Sequence, residues 1–186
     1  TVYIDNAAQA HLLALDARVV LHPADTPEAE LPHTAIRPYP NQYAEMWTTP
    51  NGTNINIRPI RPEDEPLMVQ FHGTLSERSV YMRYFSPVKL QQRVAHERLS
   101  RICFIDYDRE MVLVATRRNP ETNQVEILAA GRLTRIHGQP VGEFGLLVGD
   151  PFQGFGLGTE LLKRLIDVGR GEGLETIIGY ILPDNT

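Results

Sequence analysis

The sequence predicts a compact α/β domain beginning near residue 54 and preceded by an extended N-terminal arm. Three stretches with strand character, residues 111–116, 125–136 and 141–148, lead into a glycine-rich turn and an amphipathic helix over 156–171. Upstream, the chain runs through Pro23, Pro27, Pro32, Pro38 and Pro40. Repeated prolines fix φ and remove backbone donors, so residues 23–53 read as a linker.

The elements follow in order. Residues 1–22 contain an apolar run with partial alternation over 12–21, suited to one or two strands without a sheet of their own. A lone two-stranded hairpin is marginal in water, so this piece reads as the remnant of a preceding domain. The first 50 or so residues are not expected to fold by themselves, since their apolar surface is too small to offset backbone ordering. Residues 54–60 alternate polar and apolar as a strand does. Pro62, Glu63, Asp64 and Glu65 suit a helix start, with proline early and carboxylates at the positive end of the dipole. Helices are expected over 65–74 and 88–101. Apolar positions 157, 161, 162, 165, 166 and 168 share one helical face, and 174–182 reads as a further strand.

Composition narrows the function. With 18 Lys+Arg against 23 Asp+Glu the net charge is −5, which argues against a nucleic-acid partner. No apolar run approaches the ~20 residues of a membrane helix, and the first residues lack a signal-peptide pattern, so a cytoplasmic protein with no membrane partner is expected. The single cysteine, Cys103, lies in an apolar run and reads as a buried, inert thiol. No metal site is expected: the six histidines form no ligand pair. Asp106, Asp108 and Glu110 lack the rest of a calcium loop and read as a solvated turn.

The most informative segment is Gln153-Gly154-Phe155-Gly156-Leu157-Gly158-Thr159, between a strand ending at Val148 and the amphipathic helix. A helix N-terminus exposes unpaired N–H groups and a positive dipole end, and glycines let the backbone approach an anion closely. No Gly-Lys-Ser/Thr follows, so this is not a Walker A loop, and the glycines run G-x-G-x-G rather than in the dinucleotide spacing. On its own the segment fits either a phosphate turn or a turn that merely permits tight strand–helix packing.

Gln153-x-x-Gly156-x-Gly158 resembles the acyl-CoA motif Q/R-x-x-G-x-G/A of the GNAT acetyltransferases, and the strand over 141–148 resembles the strand that precedes it there. At superfamily level the resemblance covers residues 54–186 and implies a mixed, mostly antiparallel central sheet flanked by helices. Residues 32–40, 57–66 and 105–111 also resemble bacterial Pat-type proteins, which fuse an ADP-forming acyl-CoA synthetase-like region to a C-terminal GNAT domain. Leu15-Asp16-Ala17-Arg18-Val19 resembles the end of the ATP-grasp part of that region. The resemblance implies a C-terminal fragment of a longer polypeptide, with a remnant over 1–22 too short to bind ATP. It also implies that the family's fold continues past Thr186 with a helix and closing strands.

The resemblance implies acetyl-CoA as cosubstrate and a protein lysine as acceptor, notably in AMP-forming acyl-CoA synthetases. Acetyl transfer needs a neutral amine, a stabilised oxyanion and a held thioester. Glu143, ten residues before Gln153 (153 − 143 = 10), resembles in spacing the catalytic glutamate of histone-acetylating relatives. On a strand it shares a face with Gly145, expected to leave room for an amine, and with Leu147, expected to desolvate the carboxylate and raise its pKa. Backbone N–H groups near Leu147 and Val148 are the expected oxyanion and pantetheine contacts. Gln153, Gly154, Phe155, Gly156, Leu157, Gly158 and Thr159 would hold the pyrophosphate. Asn185 resembles the family's asparagine on the cofactor arm. Tyr81 and Tyr84 suit either the acceptor site or, more simply, the core. Two other readings stand beside this one: a small-molecule or N-terminal amine acetyltransferase, and a non-catalytic acyl-CoA-sensing module.

Overall fold

The structure, a computed structural model, describes residues 2–4, 12–14, 23, 25–27 and 37–185. The chain divides into two units, residues 1–35 and 36–186. In the first, β1 (Val2–Ile4) pairs antiparallel with β2 (Leu12–Ala14), Tyr3 opposite Leu13. Where one or two strands without a sheet of their own were expected, there are two, and they pair with each other as a two-stranded sheet. Residues 15–19 and 32–36, which carry part of the Pat-type resemblance, lie outside the described residues.

The second unit holds a six-stranded sheet in the order β3 (Glu45–Thr48), β4 (Asn54–Pro59), β5 (Glu110–Arg118), β6 (Val125–Arg135), β7 (Val141–Val148), β8 (Thr176–Ile178). All neighbours are antiparallel except β7 and β8. Between β4 and β5 run α1 (Glu65–Gly73), α2 (Glu77–Tyr84), α3 (Leu90–Arg93) and α4 (His96–Cys103); α5 (Leu157–Gly171) links β7 to β8.

Strand alternation sends side chains to two cores. Ile55, Ile57, Met111, Leu113 and Ala115 face α5, which answers with Leu157, Leu161, Leu165 and Val168. The intervening Val112 and Val114 face the other way and pack with Phe71 of α1, Val80 of α2 and Leu99 and Cys103 of α4. Cys103 is buried as expected, and burial pushes its thiol up to about 12.

Four sequence expectations change. Part of the stretch read as a linker is folded: β3 pairs along β4, Trp47 opposite Ile55. Arg37 donates two hydrogen bonds to Glu172 (2.6 and 2.8 Å), Tyr43 a third (2.7 Å), and Tyr39 donates to the Pro59 carbonyl (2.8 Å). The hydrogen bond from Arg37 holds the Glu172 carboxyl below its ordinary range. Second, α2 forms over a stretch that gave no helical periodicity, and the Ser76 hydroxyl caps it by accepting from Ser79 N–H (3.2 Å). Third, the helix expected over 88–101 is two short helices, α3 and α4. Fourth, β8 is three residues rather than the nine of 174–182; pairing stops at Glu143 and Ile178, and the Phe144 ring packs against Gly179 just beyond.

The turn into α1 rests on a buried ion pair. Arg58 donates two hydrogen bonds to Asp64 (2.6 and 2.7 Å), and the Arg61 N–H gives Asp64 a third (2.8 Å). Only 11% and 5% of the two side chains is exposed. Removing one member of such a pair strands the other's charge. Asp64→Ala is therefore expected to cost about 3–5 kcal/mol in urea unfolding; a loss below about 1 kcal/mol would mean that water reaches Arg58 instead.

Candidate active site

The site grows out of the end of β8. Beyond Ile178 no strand among the described residues lies beside the edge of β7 from Phe144 to Val148. The other edge stays paired with β6 throughout, from Arg135 opposite Gly142 to Ala129 opposite Val148. Ile136 N–H bonds to Val141 C=O, and Gly149 N–H to Leu128 C=O, so the odd-numbered residues of β7 point their backbone groups at β6. The even-numbered ones point at the opening. Val148 therefore presents N–H and C=O there, and its C=O accepts from the Gln153 amide (3.2 Å). Leu147 N–H belongs to the ladder, so the open N–H groups near Leu147 and Val148 are those of Leu146 and Val148. The sequence reading left that choice open because the parity of a strand is set by its partner.

The opening is a cleft of about 530 Å³ between β7, α2 and the segment after β8. It gathers Glu143, Leu147, Val148, Gln153 and Asn185, all singled out from the sequence. Ser79, Met82 and Arg83 of α2 and Tyr180 and Ile181 beyond β8 line it as well. Residues 154–159 continue from Gln153 outside that lining. Tyr81 is exposed on α2, and Tyr84 packs against the core beneath α2.

The turn is built for a free helix end. Gly154 and Gly156 have φ of +81° and +83°, a left-handed backbone that side chains disfavour. Gly156 caps α5 with no side-chain hydrogen bond, and among the described residues no oxygen takes the N–H groups of Leu157, Gly158 or Thr159. A 15-residue helix thus begins with open donors and a positive dipole end. Gln153 is pinned by its amide to Ser79 (3.1 Å) as well as to Val148. Burial opposes ionisation of Asp150, but hydrogen bonds from Ser76 and Ser79 outweigh it and hold the carboxyl below its usual range.

Glu143 sits at the last paired position of β7 with β8. Its side chain is exposed and has no hydrogen bond or ion pair among the described residues, so Leu147 does not cover it as expected. The space expected over Gly145 is also taken. A methyl group built on Gly145 would collide with the Arg83 guanidinium. The missing side chain lets α2 lay a cation on the strand, a long-range contact that no local signal announces.

A two-sided α/β layout, a strand opened along one edge and a glycine-capped helix after it now have a match. The acetyltransferase (GNAT) domain model fits residues 54–186. The chain belongs to the GNAT acetyltransferases. GNAT acetyltransferases transfer an acetyl group and use acetyl-CoA. The GNAT domain of S. lividans PAT superposes with a TM-score of 0.70 at 26% identity, covering 80% of this chain and 84% of that one. A Pseudomonas aeruginosa acetyltransferase is 28% identical over 123 residues, 66% of this chain; the chain spans 63% of that relative's length. The PaiA N-acetyltransferase of Thermoplasma acidophilum, solved with coenzyme A, shares the fold at TM-score 0.56 and 14% identity, over 72% of this chain and 83% of that one. Among the described residues no helix is long and apolar enough to cross a membrane.

Proposed function

We propose that this GNAT domain transfers the acetyl group of acetyl-CoA to the ε-amine of a lysine in a metabolic enzyme such as an AMP-forming acyl-CoA synthetase. The observation that carries the choice of acceptor is the likeness to the GNAT domain of S. lividans PAT over most of both chains. The Pat-type stretches at 57–66 and 105–111 support the same reading. Acetylating a lysine removes its charge, which suits a regulatory role on an enzyme that uses that lysine.

In this reading the pyrophosphate lies over the turn from Gly154 to Thr159, where the N–H groups at the start of α5 are open. Gln153 and Asn185 flank the cofactor arm. Glu143 takes the amine proton directly or through a water; its exposure in the cleft leaves it accessible. The amine nitrogen attacks the thioester carbon, the N–C bond forms and the C–S bond breaks. The open N–H of Leu146 holds the oxygen while it carries negative charge, and that of Val148, two residues along the strand, meets the pantetheine arm. CoA leaves as a thiolate, a good leaving group with a pKa of ~8.5, and takes its proton from solvent.

Acetyl-CoA turnover with an acyl-CoA synthetase, lysine peptides, peptides with a free N-terminus and polyamines tests the acceptor. The synthetase is expected to have the highest kcat/KM. A faster polyamine or N-terminal amine would replace this acceptor with the small-molecule or N-terminal one. Tight acetyl-CoA binding with no transfer to any acceptor would make the domain an acyl-CoA sensor.

A further inference from the structure

On the sheet face opposite α5, helices α1, α2 and α4 enclose with β6 and β7 a second cavity, about 80 Å³ in volume. It adjoins the main cleft, the two sharing Arg83, Gly145 and Leu147. Its walls are unusually cationic. Arg83, Arg98 and Arg132 reach it from three different elements, and His72 of α1 closes it. Only Arg132 is matched by a carboxylate, Glu110 at 2.5 Å. Among the described residues Arg83 and Arg98 form no ion pair; each lies over the Tyr84 ring, at 5.4 and 5.0 Å.

The cavity also holds unmet hydrogen bonds. His72 is 1% exposed, and neither ring nitrogen has a partner among the described residues. The Nε atoms of Arg98 and Arg132 are buried and unpartnered too. Folded proteins pair nearly all buried polar atoms, so four orphans around one space point to something that fills it. Burial, with the charges of Arg93 and Arg98, pushes His72 down to about 4. At neutral pH it is an uncharged imidazole with one nitrogen able to donate. Guanidinium groups match planar carboxylates two hydrogen bonds at a time. The space is small beside the main cleft, and its guanidinium and imidazole lining suits a planar carboxylate.

Resting on the acyl-transfer reading of the main cleft, we propose that this cavity is a carboxylate-recognition subsite. One of the two reactants carries a carboxylate that Arg83, Arg98 and His72 hold on the Gly145 side of β7. No bond within the carboxylate changes; it orients the reacting end in the cleft. The carboxylate belongs either to the acyl chain, as in a dicarboxylate-derived thioester, or to the acceptor, as in an acidic side chain next to the acetylated lysine.

Rates measured in pairs distinguish the sources: succinyl-CoA against acetyl-CoA with one amine, and a lysine peptide with a neighbouring glutamate against the same peptide with glutamine, both with acetyl-CoA. The expected result is at least a tenfold higher kcat/KM for the carboxylate-bearing member of one pair. Arg98→Met should cut that ratio at least tenfold, and Arg98→Lys should restore part of it. Equal rates within both pairs, with acetyl transfer intact, would overturn the subsite and leave the acyl-transfer reading standing. If no transfer occurs at all, the reading of the main cleft fails, and a second measurement decides the cavity. Succinate added to the wild type should shift the His72 ring resonances and raise its pKa, and should do neither in Arg98→Met. No response of His72 at tens of millimolar succinate would end the proposal, as would a response without any preference in either pair.

Discussion

Glu143→Gln is expected to lower acetyl transfer at neutral pH by roughly two to four decades, the usual span for loss of a general base, with acetyl-CoA affinity unchanged. Glutamine keeps the shape and the hydrogen bonding of the side chain but accepts no proton. Glu143 makes no hydrogen bond or ion pair among the described residues, so its replacement disturbs no structural contact. That separates chemistry from folding in this variant better than in most. The deficit should shrink as pH rises toward the amine's own pKa, ~10.4 for a lysine, because more acceptor is then already neutral. A deficit constant across pH would argue for a positioning role. A normal rate at neutral pH would pass the proton to solvent or to another carboxylate in the cleft.

Gly156→Glu should reduce CoA affinity about a thousandfold. Two effects combine. The residue at 156 must hold φ at +83°, which costs an L side chain about 1–2 kcal/mol; a free turn can relax from that strain, and a bound one must restore it. The new carboxylate also sits at the start of α5. At ~5 Å from a phosphate and an effective dielectric of ~20, like charges repel by about 3 kcal/mol. Direct obstruction is the smaller effect, because a side chain at 156 would start toward Trp47, whose ring lies 3.8 Å from the Cβ position. Gly156→Ala isolates the backbone share and should lose only about tenfold. Calorimetry checks both variants, and emission from Trp47, the chain's single tryptophan, offers a second readout. Unchanged affinity in Gly156→Glu would move the pyrophosphate away from this turn.

The parts of the fold that announced themselves were those whose packing is periodic. β4 to β7 alternate because both faces of the sheet meet a core, and α5 repeats every three to four residues because one face meets the sheet. Strand β3 was silent: it is four residues long, three of them exposed, and only Trp47 turns inward. Helix α2 was silent for a related reason, having one fully buried residue, Val80. Its signal was the Ser76 cap followed by Glu77. Glu143, Val148, Gln153 and Asn185, which line the cleft, were reachable through the resemblance of strand, turn and helix to the GNAT motif. Arg83 over Gly145 and the Leu146 donor were not, since one depends on a helix placed across the sheet and the other on which partner strand takes the odd residues.

The parity of β7 has a practical corollary for anyone mapping this cleft by mutation. The groups that face the opening at positions 146 and 148 are main-chain donors, and every residue except proline carries the same one. An alanine scan along the strand would therefore pass over the main-chain donors placed to meet the oxyanion and the pantetheine arm, and would report only the packing of Leu146 and Val148 against the α5 side. Their contribution becomes visible only when the amide itself is edited, by replacing the peptide link with an ester at one position at a time.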